Sequence, residues 1–584
     1  MKKFIVYLLT PALLVSLCLS GCGKMDTLET ETTAPGSAPA QTEAAGQETE
    51  TAGPAQEEKP LTKIDMTKWQ YAGEDDVYWQ VGIAYCEKPL NAEYETMGFY
   101  VPGAYFDAVD NGDGTYTCTV NPEGTVGGYT ARSAPVILPV DTPGYRAMKA
   151  PAGYSGFGYG DIKDYTDAGF VLAVAGARGR ESGAPAGVTD FKAAIRYTRF
   201  NADVLPGNMD AIFTEGMSGG GAQSALLGAT GDSALYDPYL EQIGAVMDTS
   251  DAVLGSMAWC PITNLDEADA AYEWNMGITR TELSEQEQQI SDALAASYAD
   301  YINSLGLRDE NGNVLTLEAS ERGIFQAGSY YERIRSEIET SLNHFLEDTT
   351  FPLKISGVRH ENNDSPDDGI SRTEVSGKIS VVGTFETPAD YVEALNQNGE
   401  WVHYDAGTNT VSITSVSAFA MALKQASKSL GAFDQLDGRQ GENTLFGYGD
   451  GKGVHFDLTL GELLADLGLE EADDFARDFA REDDLGNTVE TRVNMYTPLY
   501  YLLASQDGYQ TSSVASYWRI RTGINQGDTA LCTEVNLALA LESYDGVQSV
   551  DFAMVWGKAH VQAERTGTDI ANFIEWVNSC MQAQ

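Results

Sequence analysis

The residues whose types and spacing most clearly suggest catalysis lie in the sequence GMSGG at 216–220, which fits the pattern G-x-S-x-G. A strand-like run at 211–214 precedes it, and a small-residue run with helical character at 219–229 follows it. A sharp strand-to-helix turn needs small flanking residues and pushes the serine hydroxyl out above the sheet. Ser218 is therefore a candidate nucleophile, and the amide of Gly219 is a candidate donor to an oxyanion. A glycine-rich turn without chemistry is the alternative.

A serine nucleophile needs a base, and the chain has five histidines, namely His344, His360, His403, His455 and His560. His560 follows the last strand-like run, 550–556, and precedes the last helical run, 568–582. The carboxyl ends of parallel strands share one edge of a sheet, so this loop is expected beside Ser218. His560 is the predicted base, and the other four fall in an inserted region where ordinary polar roles are expected.

The loops after two further strands supply the remaining candidates. The loop at 522–528 follows the run at 517–521 and contains one carboxylate, Asp528. Asp528 is predicted to orient His560, and capping the helix that starts at 529 is an alternative that is compatible with this role. The loop at 141–145 offers the amide of Gly144, or that of Tyr145, as a second oxyanion donor. A plain turn glycine is the alternative for Gly144.

The elements that must position these residues alternate between strand and helix. Strand-like runs occur at 77–85, 97–101, 134–140 and 253–259, and the segment at 107–115 reads as a hairpin turn. The run FVLAVA at 170–175 is apolar throughout, as a strand buried on both faces should be, and 190–200 has helical periodicity. This alternation predicts an α/β domain with a mainly parallel sheet.

The alternation breaks between 266 and 494, where long polar helices are predicted at 284–305, 317–346, 387–396 and 415–430. It returns at 517–521, 529–541, 550–556 and 568–582. We therefore predict an α/β-hydrolase core over 61–265 and 495–584, with a large, mostly helical lid inserted at 266–494.

The N-terminus carries an export signal. Lys2 and Lys3 precede a mostly apolar run at 4–17, and the signal ends in the sequence LSGC at 19–22. This ending resembles the bacterial lipobox, so 1–21 is predicted to be a lipoprotein signal peptide and Cys22 the lipidated residue. Residues 22–60 have almost no large apolar side chains and are predicted to form a disordered tether. The expected location is a membrane-anchored lipoprotein at the cell surface or in the periplasm.

The composition excludes several classes of partner and site. A formal net charge of −50 argues against nucleic acid and anionic lipid as partners. Beyond Cys22 the chain has five cysteines with wide spacing and no C-x-x-C pair, so neither a zinc site nor a dense disulfide framework is expected. One disulfide bridge remains possible. No metal or cofactor is predicted.

Several stretches resemble the bacterial tannases, which are α/β-hydrolases that cleave galloyl esters. The matching stretches are FKAAIRY at 191–197 with 199–201, GMSGGGA at 216–222 with 228–231, CPIT at 260–263 with 272–274, ENTLFG at 442–447, and YWRIRTG at 517–523 with 528–529. The resemblance implies Ser218, Asp528 and His560 as the triad. It also implies a lid lysine and glutamate that hold the ring hydroxyls of the galloyl group, and Lys428 and Glu442 suit these roles. Solvated lid charges are the alternative for both.

The chain departs from the family at two places. Family members often carry a second acidic residue close to the triad aspartate, whereas Gln526 and Gly527 precede Asp528 here. Met217 and Val561 stand where the fungal tannases and related feruloyl esterases have a bridged cysteine pair. This chain therefore does not resemble that branch.

The expected function is hydrolysis of galloyl esters of tannins through an acyl-enzyme, with a small aromatic ester as the substrate. Three alternatives stay open. The first is another carboxylesterase, acting for example on feruloyl or acetyl esters. The second is a surface-binding lipoprotein with an inactive hydrolase fold, against which the complete set of serine, aspartate and histidine argues. The third is a peptidase, although the short stretch before Val136 leaves no room for the N-terminal propeller that prolyl peptidases usually carry.

Overall fold

A computed structural model describes residues 60–156, 159–320, 323–355 and 381–584. The predicted signal peptide, Cys22, the tether up to residue 59, and His360 lie outside these segments. Within the described segments, no helix is both long and apolar enough to cross a lipid bilayer.

A nine-stranded mixed sheet forms the centre of the molecule. In chain order its strands are β1 (Gln70–Ala72), β2 (Val77–Ala84), β3 (Thr96–Pro102), β4 (Val136–Val140), β5 (Val171–Ala175), β6 (Ile212–Met217), β7 (Gly255–Trp259), β8 (Tyr517–Gly523) and β9 (Ser549–Val555). Their spatial order is β1-β2-β3-β5-β4-β6-β7-β8-β9. The pairs β1–β2, β2–β3 and β3–β5 are antiparallel. The pairs β5–β4, β4–β6, β6–β7, β7–β8 and β8–β9 are parallel.

Helices cover both faces of this sheet. The described helices are α1 (Ile162–Asp167), α2 (Ala186–Phe200), α3 (Gly219–Ala229), α4 (Asp237–Ile243), α5 (Ala268–Met276), α6 (Glu285–Leu305), α7 (Ser329–Asp348), α8 (Pro388–Leu395), α9 (Val416–Leu423), α10 (Gly441–Leu445), α11 (Leu458–Asp466), α12 (Ala472–Phe479), α13 (Val489–Met495), α14 (Pro498–Leu502), α15 (Leu531–Glu542) and α16 (Asp569–Ala583). One apolar cluster includes residues of α2, α3 and α15, and a second includes residues of α1 and α16.

The two clusters explain the apolar sequences of the central strands. Successive side chains of a strand point to opposite faces, so a strand between two helical layers is buried on both faces and is mostly apolar. In β4, Val136, Leu138 and Val140 pack in the first cluster while Ile137 packs in the second. The prediction of a mainly parallel α/β core is confirmed.

The insertion between β7 and β8 carries α5 to α14 and three antiparallel pairs of short strands. These pairs join Glu318–Ser320 to Gly323–Ala327, Leu353–Ile355 to Gly383–Phe385, and Val402–Asp405 to Thr410–Ile413. Two predicted helices were too long. The run at 317–346 begins with two short antiparallel strands and becomes helical at Ser329. The run at 415–430 leaves the helix after Leu423, so Lys428 lies in irregular chain.

The five cysteines of the described segments, Cys86, Cys118, Cys260, Cys532 and Cys580, are buried as free thiols. The structure therefore forms none of the disulfide bridges that the sequence left possible among them.

Candidate active site

Ser218 stands at the turn between β6 and α3. Its backbone adopts φ 61° and ψ −124°, a strained conformation for a residue other than glycine. The flanking glycines are sterically required. A Cβ on Gly216 would lie 2.3 Å from the carbonyl oxygen of Gly220, and a Cβ on Gly220 would lie 2.1 Å from that of Val140. The turn therefore closes only with glycine at both positions, as the G-x-S-x-G pattern predicts.

His560, in the loop after β9, lies beside Ser218. Its Nε2 is 2.8 Å from the Oγ of Ser218, which is hydrogen-bonding distance for a base and a nucleophile. Burial lowers the pKa of His560 below its usual value of 6.5, the negative charge of Asp528 raises it, and the positive charge of Lys428 lowers it. A lowered pKa keeps the imidazole neutral at neutral pH, which is the state that can accept a proton.

The loop after β8 presents a different side chain to His560 from the one predicted. The Nδ1 of His560 is 2.7 Å from the Oε1 of Gln526, whereas the nearest carboxylate oxygen of Asp528 is 3.9 Å from that nitrogen. Gln526 is 1% exposed, and the side chain of Asp528 is 51% exposed. The hydrogen bond to His560 that the sequence predicts for Asp528 is therefore made by Gln526 in the structure.

Backbone contacts explain this arrangement. The Nζ of Lys424 donates to the carbonyl oxygen of Gln526 at 2.5 Å, and the Oη of Tyr272 donates to that of Gly527 at 3.0 Å. Both donors come from the insertion and hold the loop so that Gln526 points inward. Asp528 then faces outward. It is near enough to raise the pKa of His560 through its charge but too far to form a hydrogen bond with it.

The predicted oxyanion donors lie next to each other. A Cβ on Gly219 would approach the amide nitrogens of Tyr145 and Gly144 to 2.5 and 3.0 Å, so both amides border the start of α3. The Tyr145 amide already donates to the carbonyl oxygen of Thr142 at 2.9 Å. The amide of Gly144 is thus better placed than that of Tyr145 to donate to an oxyanion together with the amide of Gly219. Gly144 has φ 58°, which a glycine adopts without strain.

The two predicted lid residues both border this centre. The backbone amide of Lys428 donates to the Oη of Tyr272 at 3.2 Å, which places Lys428 against the loop after β8. Its ammonium lies 3.7 Å from the centroid of the Phe433 ring. Glu442 is 6% exposed. Burial raises the pKa of Tyr145, the neighbour of Gly144, and the negative charge of Glu442 raises it further. Lys428 therefore lies near His560, and Glu442 lies near the loop that carries Gly144.

An arginine connects the oxyanion loop to the glutamate. Arg180 donates from Nη1 to the carbonyl oxygen of Gly144 at 3.2 Å, and a Cβ on Gly441 would lie 2.3 Å from the same nitrogen. Because Gly441 precedes Glu442, the glycine brings Glu442 close to the loop that carries Gly144.

The comparisons with known proteins support an esterase with this fold. The BD-FAE family model matches residues 129–304, which include the nucleophile turn. The structure of tannin acyl hydrolase from Lactobacillus plantarum superposes with a TM-score of 0.64 at 27% identity, covering 87% of this chain and 94% of that chain. Fusobacterium nucleatum tannase superposes with a TM-score of 0.64 at 28% identity, covering 86% and 95%. No curated protein sequence matches the chain.

This chain is a tannase-like carboxylic ester hydrolase. Its fold is that of the tannases, an α/β-hydrolase core with a lid domain, as the sequence predicts. Structures of tannin acyl hydrolase in complex with ethyl gallate and with 3,4-dihydroxybenzoate are also similar to it, with a TM-score of 0.63 in each case.

Three residues that connect to His560 through hydrogen bonds cannot be identified from the sequence. They are Gln526, Glu534 and Lys424. The sequence marks Gln526 only as a departure from the family, and it does not point to Lys424 or Glu534. The available signal was the position of Gln526 in the loop after β8. A glutamine gives no sign in the sequence of which way it points, and a glutamate on a helix reads as an exposed charge.

Proposed function

We propose that this enzyme hydrolyses galloyl esters, with Ser218 as nucleophile and His560 as general base. The 2.8 Å contact between Ser218 Oγ and His560 Nε2 at the carboxyl edge of the sheet is the observation that carries the proposal. The similar structures with bound ethyl gallate and dihydroxybenzoate support an aromatic acyl group.

The reaction runs through an acyl-enzyme. His560 takes the proton of Ser218 as its Oγ attacks the ester carbonyl, and the amides of Gly219 and Gly144 stabilise the oxyanion. His560 then gives its proton to the departing alcohol. A water molecule, activated by the same imidazole, attacks the acyl group and frees Ser218.

Lys428 and Glu442 distinguish the acyl group. Three adjacent phenolic hydroxyls offer both donors and acceptors, so a carboxylate can accept from two of them while an ammonium donates to another. A site built in this way rejects an acyl group that lacks the hydroxyls, because its buried polar groups would be left unpaired.

The second candidate is a carboxylesterase for other acyl groups, such as feruloyl or acetyl. The match to the BD-FAE model favours it, because that match supports an esterase of the tannase or feruloyl esterase kind without fixing the acyl group. The alternative uses the same serine chemistry and gives Lys428 and Glu442 no role in recognition.

Hydrolysis of methyl gallate, methyl ferulate, methyl benzoate and p-nitrophenyl acetate by protein lacking residues 1–59 decides between them. We expect a preference for the gallate ester and a loss of at least about 10⁴-fold in kcat in Ser218→Ala. Glu442→Gln should lower kcat/KM for gallate by about 10-fold or more and leave the acetate rate within about 2-fold. Equal losses on both esters would remove Glu442 from substrate recognition.

We also propose that the enzyme acts at a membrane surface through a lipid on Cys22. The basis is the lipobox-like sequence LSGC at 19–22. Expression of the full chain in bacteria fed with labelled palmitate tests this. The wild-type chain should carry label in the membrane fraction, and Cys22→Ser should carry none.

A further inference from the structure

A buried chain of hydrogen bonds runs from His560 into the core. The Nε2 of Gln526 lies 2.8 Å from the Oε1 of Glu534 and 2.6 Å from the Oγ1 of Thr522. Glu534 lies on α15 and is 0% exposed. The side-chain amide of Gln526 therefore separates an imidazole from a carboxylate, with one end on each.

The chemistry of Glu534 determines whether the oxygen or the NH₂ group of the Gln526 side chain faces His560. An ionised carboxylate only accepts hydrogen bonds. The donors to Glu534 are the hydroxyls of Thr522 and Thr533, each at 3.1 Å, together with the amide of Gln526. The NH₂ group of Gln526 must then face the carboxylate, and its oxygen must face His560. An amide oxygen is an acceptor, so the Nδ1 of His560 must carry the proton.

We propose that Glu534 is a positioning residue that sets the tautomer of His560 through the Gln526 amide. With the proton on Nδ1, the lone pair of Nε2 faces the hydroxyl of Ser218, which is the arrangement that catalysis needs. The proposal rests on the serine ester mechanism proposed above and adds to it a carboxylate that acts from one side chain further away.

Two features prevent the side-chain amide of Gln526 from flipping. Lys424, which is buried, donates to the backbone carbonyl of Gln526 and so fixes the start of the side chain. Thr522 accepts from the Gln526 amide and donates to Glu534, closing a ring of three groups. A flipped amide would place its oxygen against a carboxylate, leaving two acceptors in contact in a buried site.

The ionised state of Glu534 is reached near neutral pH. Burial raises its pKa to about 7, and the hydrogen bond from Gln526 lowers it. The other ionisable groups of this cluster are Lys424, Asp528, Cys260 and Cys532. Burial lowers the pKa of Lys424, and the charges of Glu534, Cys260, Asp528 and Cys532 act in the opposite direction. Burial raises the pKa of both thiols to about 12, so they stay neutral. Above about pH 7.5, Glu534 is therefore the buried acceptor that the relay requires.

Exchanging the two side chains tests the relay. Glu534→Gln offers Gln526 a partner that can accept or donate, so the amide loses its fixed direction. We expect kcat on p-nitrophenyl acetate at about pH 8 to fall by about 10- to 100-fold, with KM within about 2-fold. The double variant Gln526→Glu, Glu534→Gln puts the carboxylate directly on His560 and should return kcat to within about 3-fold of wild type.

Thr533→Val is the matched control, because it removes one donor to Glu534 without changing the charge or the amide direction. It should leave kcat within about 3-fold. Equal kcat in wild type and Glu534→Gln would overturn the proposal. So would a double variant that folds, as judged by circular dichroism, but stays as slow as Glu534→Gln.

Two further readouts do not depend on the ester. The ¹⁵N shifts of His560 in wild-type protein, assigned with His560→Gln, should show a protonated Nδ1, and a protonated Nε2 would overturn the proposal even if every variant misfolds. The rate at which a fluorophosphonate labels Ser218 should follow the same order as kcat. Labelling without hydrolysis of any ester would contradict the proposed substrate. The labelling rates would then decide this inference, and equal rates in wild type and Glu534→Gln would overturn it.

Discussion

The turn that carries Ser218 and the loop that follows β8 both border the reaction centre, but different forces hold them. The residue types in the turn are determined by steric exclusion. Gly216 and Gly220 pass so close to neighbouring carbonyl oxygens that no Cβ fits. The loop is determined by the direction of hydrogen bonds, since Gln526 is held by a lysine on its backbone and a carboxylate on its side chain. A steric constraint fixes residue types, whereas a hydrogen-bond constraint fixes only donors and acceptors.

The two regions should therefore respond differently to substitution. At the turn, even one added methyl group must move backbone. In the loop, an exchange of donor and acceptor that keeps the pattern intact should be tolerated. The variants below test this difference, and the largest effect is expected at the turn.

Gly220→Ala should be the most damaging of these variants. Its Cβ would lie 2.1 Å from the carbonyl oxygen of Val140, a backbone atom of β4 that cannot rotate away. We expect a loss of about 1–3 kcal/mol in the free energy of unfolding and of at least about 100-fold in kcat, because the turn moves Ser218. Urea denaturation and ester hydrolysis measure the two effects.

Gly73→Ala is the control for Gly220→Ala. Gly73 is exposed, and a Cβ there would meet only the ring of Tyr71 at 3.4 Å, an ordinary contact distance. Stability and kcat should stay close to those of wild type. If Gly220→Ala behaved in the same way, the turn would be less constrained than its geometry indicates.

Lys424→Met should have an intermediate effect, centred on the loop. The variant leaves the carbonyl oxygen of Gln526 without its donor, which costs about 1–3 kcal/mol for a buried acceptor. Burial lowers the pKa of Lys424 from 10.5 to about 7 in the folded state. Between these values the unfolded chain binds more protons than the folded one, so this lysine makes wild-type protein more stable as the pH rises.

The destabilisation caused by Lys424→Met should consequently be larger at about pH 9 than at about pH 7.5. Chemical denaturation at both values measures the difference. A loss that is the same at both would mean that Lys424 keeps its ordinary pKa in the fold.

The same contrast explains how much the sequence could predict. The strands, the turn at Ser218 and the place of His560 follow from apolar runs and glycine spacing, which are local and periodic. The partner of His560 does not, because Gln526 and Asp528 are two residues apart in one loop. Only contacts from Lys424 and Tyr272, more than 100 residues earlier in the chain, decide which of them points inward.

The insertion was predicted less well than the core, for a related reason. The strands at Val402–Asp405 and Thr410–Ile413 are four residues each, too short for an alternating pattern to stand out. The helix Val416–Leu423 ends in extended chain at Lys424, and the amide of Ala426 donates to the hydroxyl of Thr279. Such an ending depends on a distant residue and leaves no local mark.

The smallest expected effects concern the two charges near His560. Asp528 raises the pKa of His560 and Lys428 lowers it. Asp528→Asn should therefore lower that pKa, and Lys428→Met should raise it, as followed by NMR titration of the imidazole Cε1 proton. At about pH 8 the imidazole is neutral in all three proteins, so kcat/KM on p-nitrophenyl acetate should change by less than about 3-fold.

Asp528→Asn also decides between the two side chains of the loop. If Asp528 were the group that orients His560, its removal would leave the imidazole in the wrong tautomer, and kcat would fall by about 10³- to 10⁴-fold. A hydrogen bond from His560 to Gln526 at 2.7 Å, with Asp528 half exposed at 3.9 Å, predicts instead a shift in pKa with little loss of rate. A large loss in Asp528→Asn would return the orienting role to the carboxylate and show that the loop rearranges when the enzyme binds its ester.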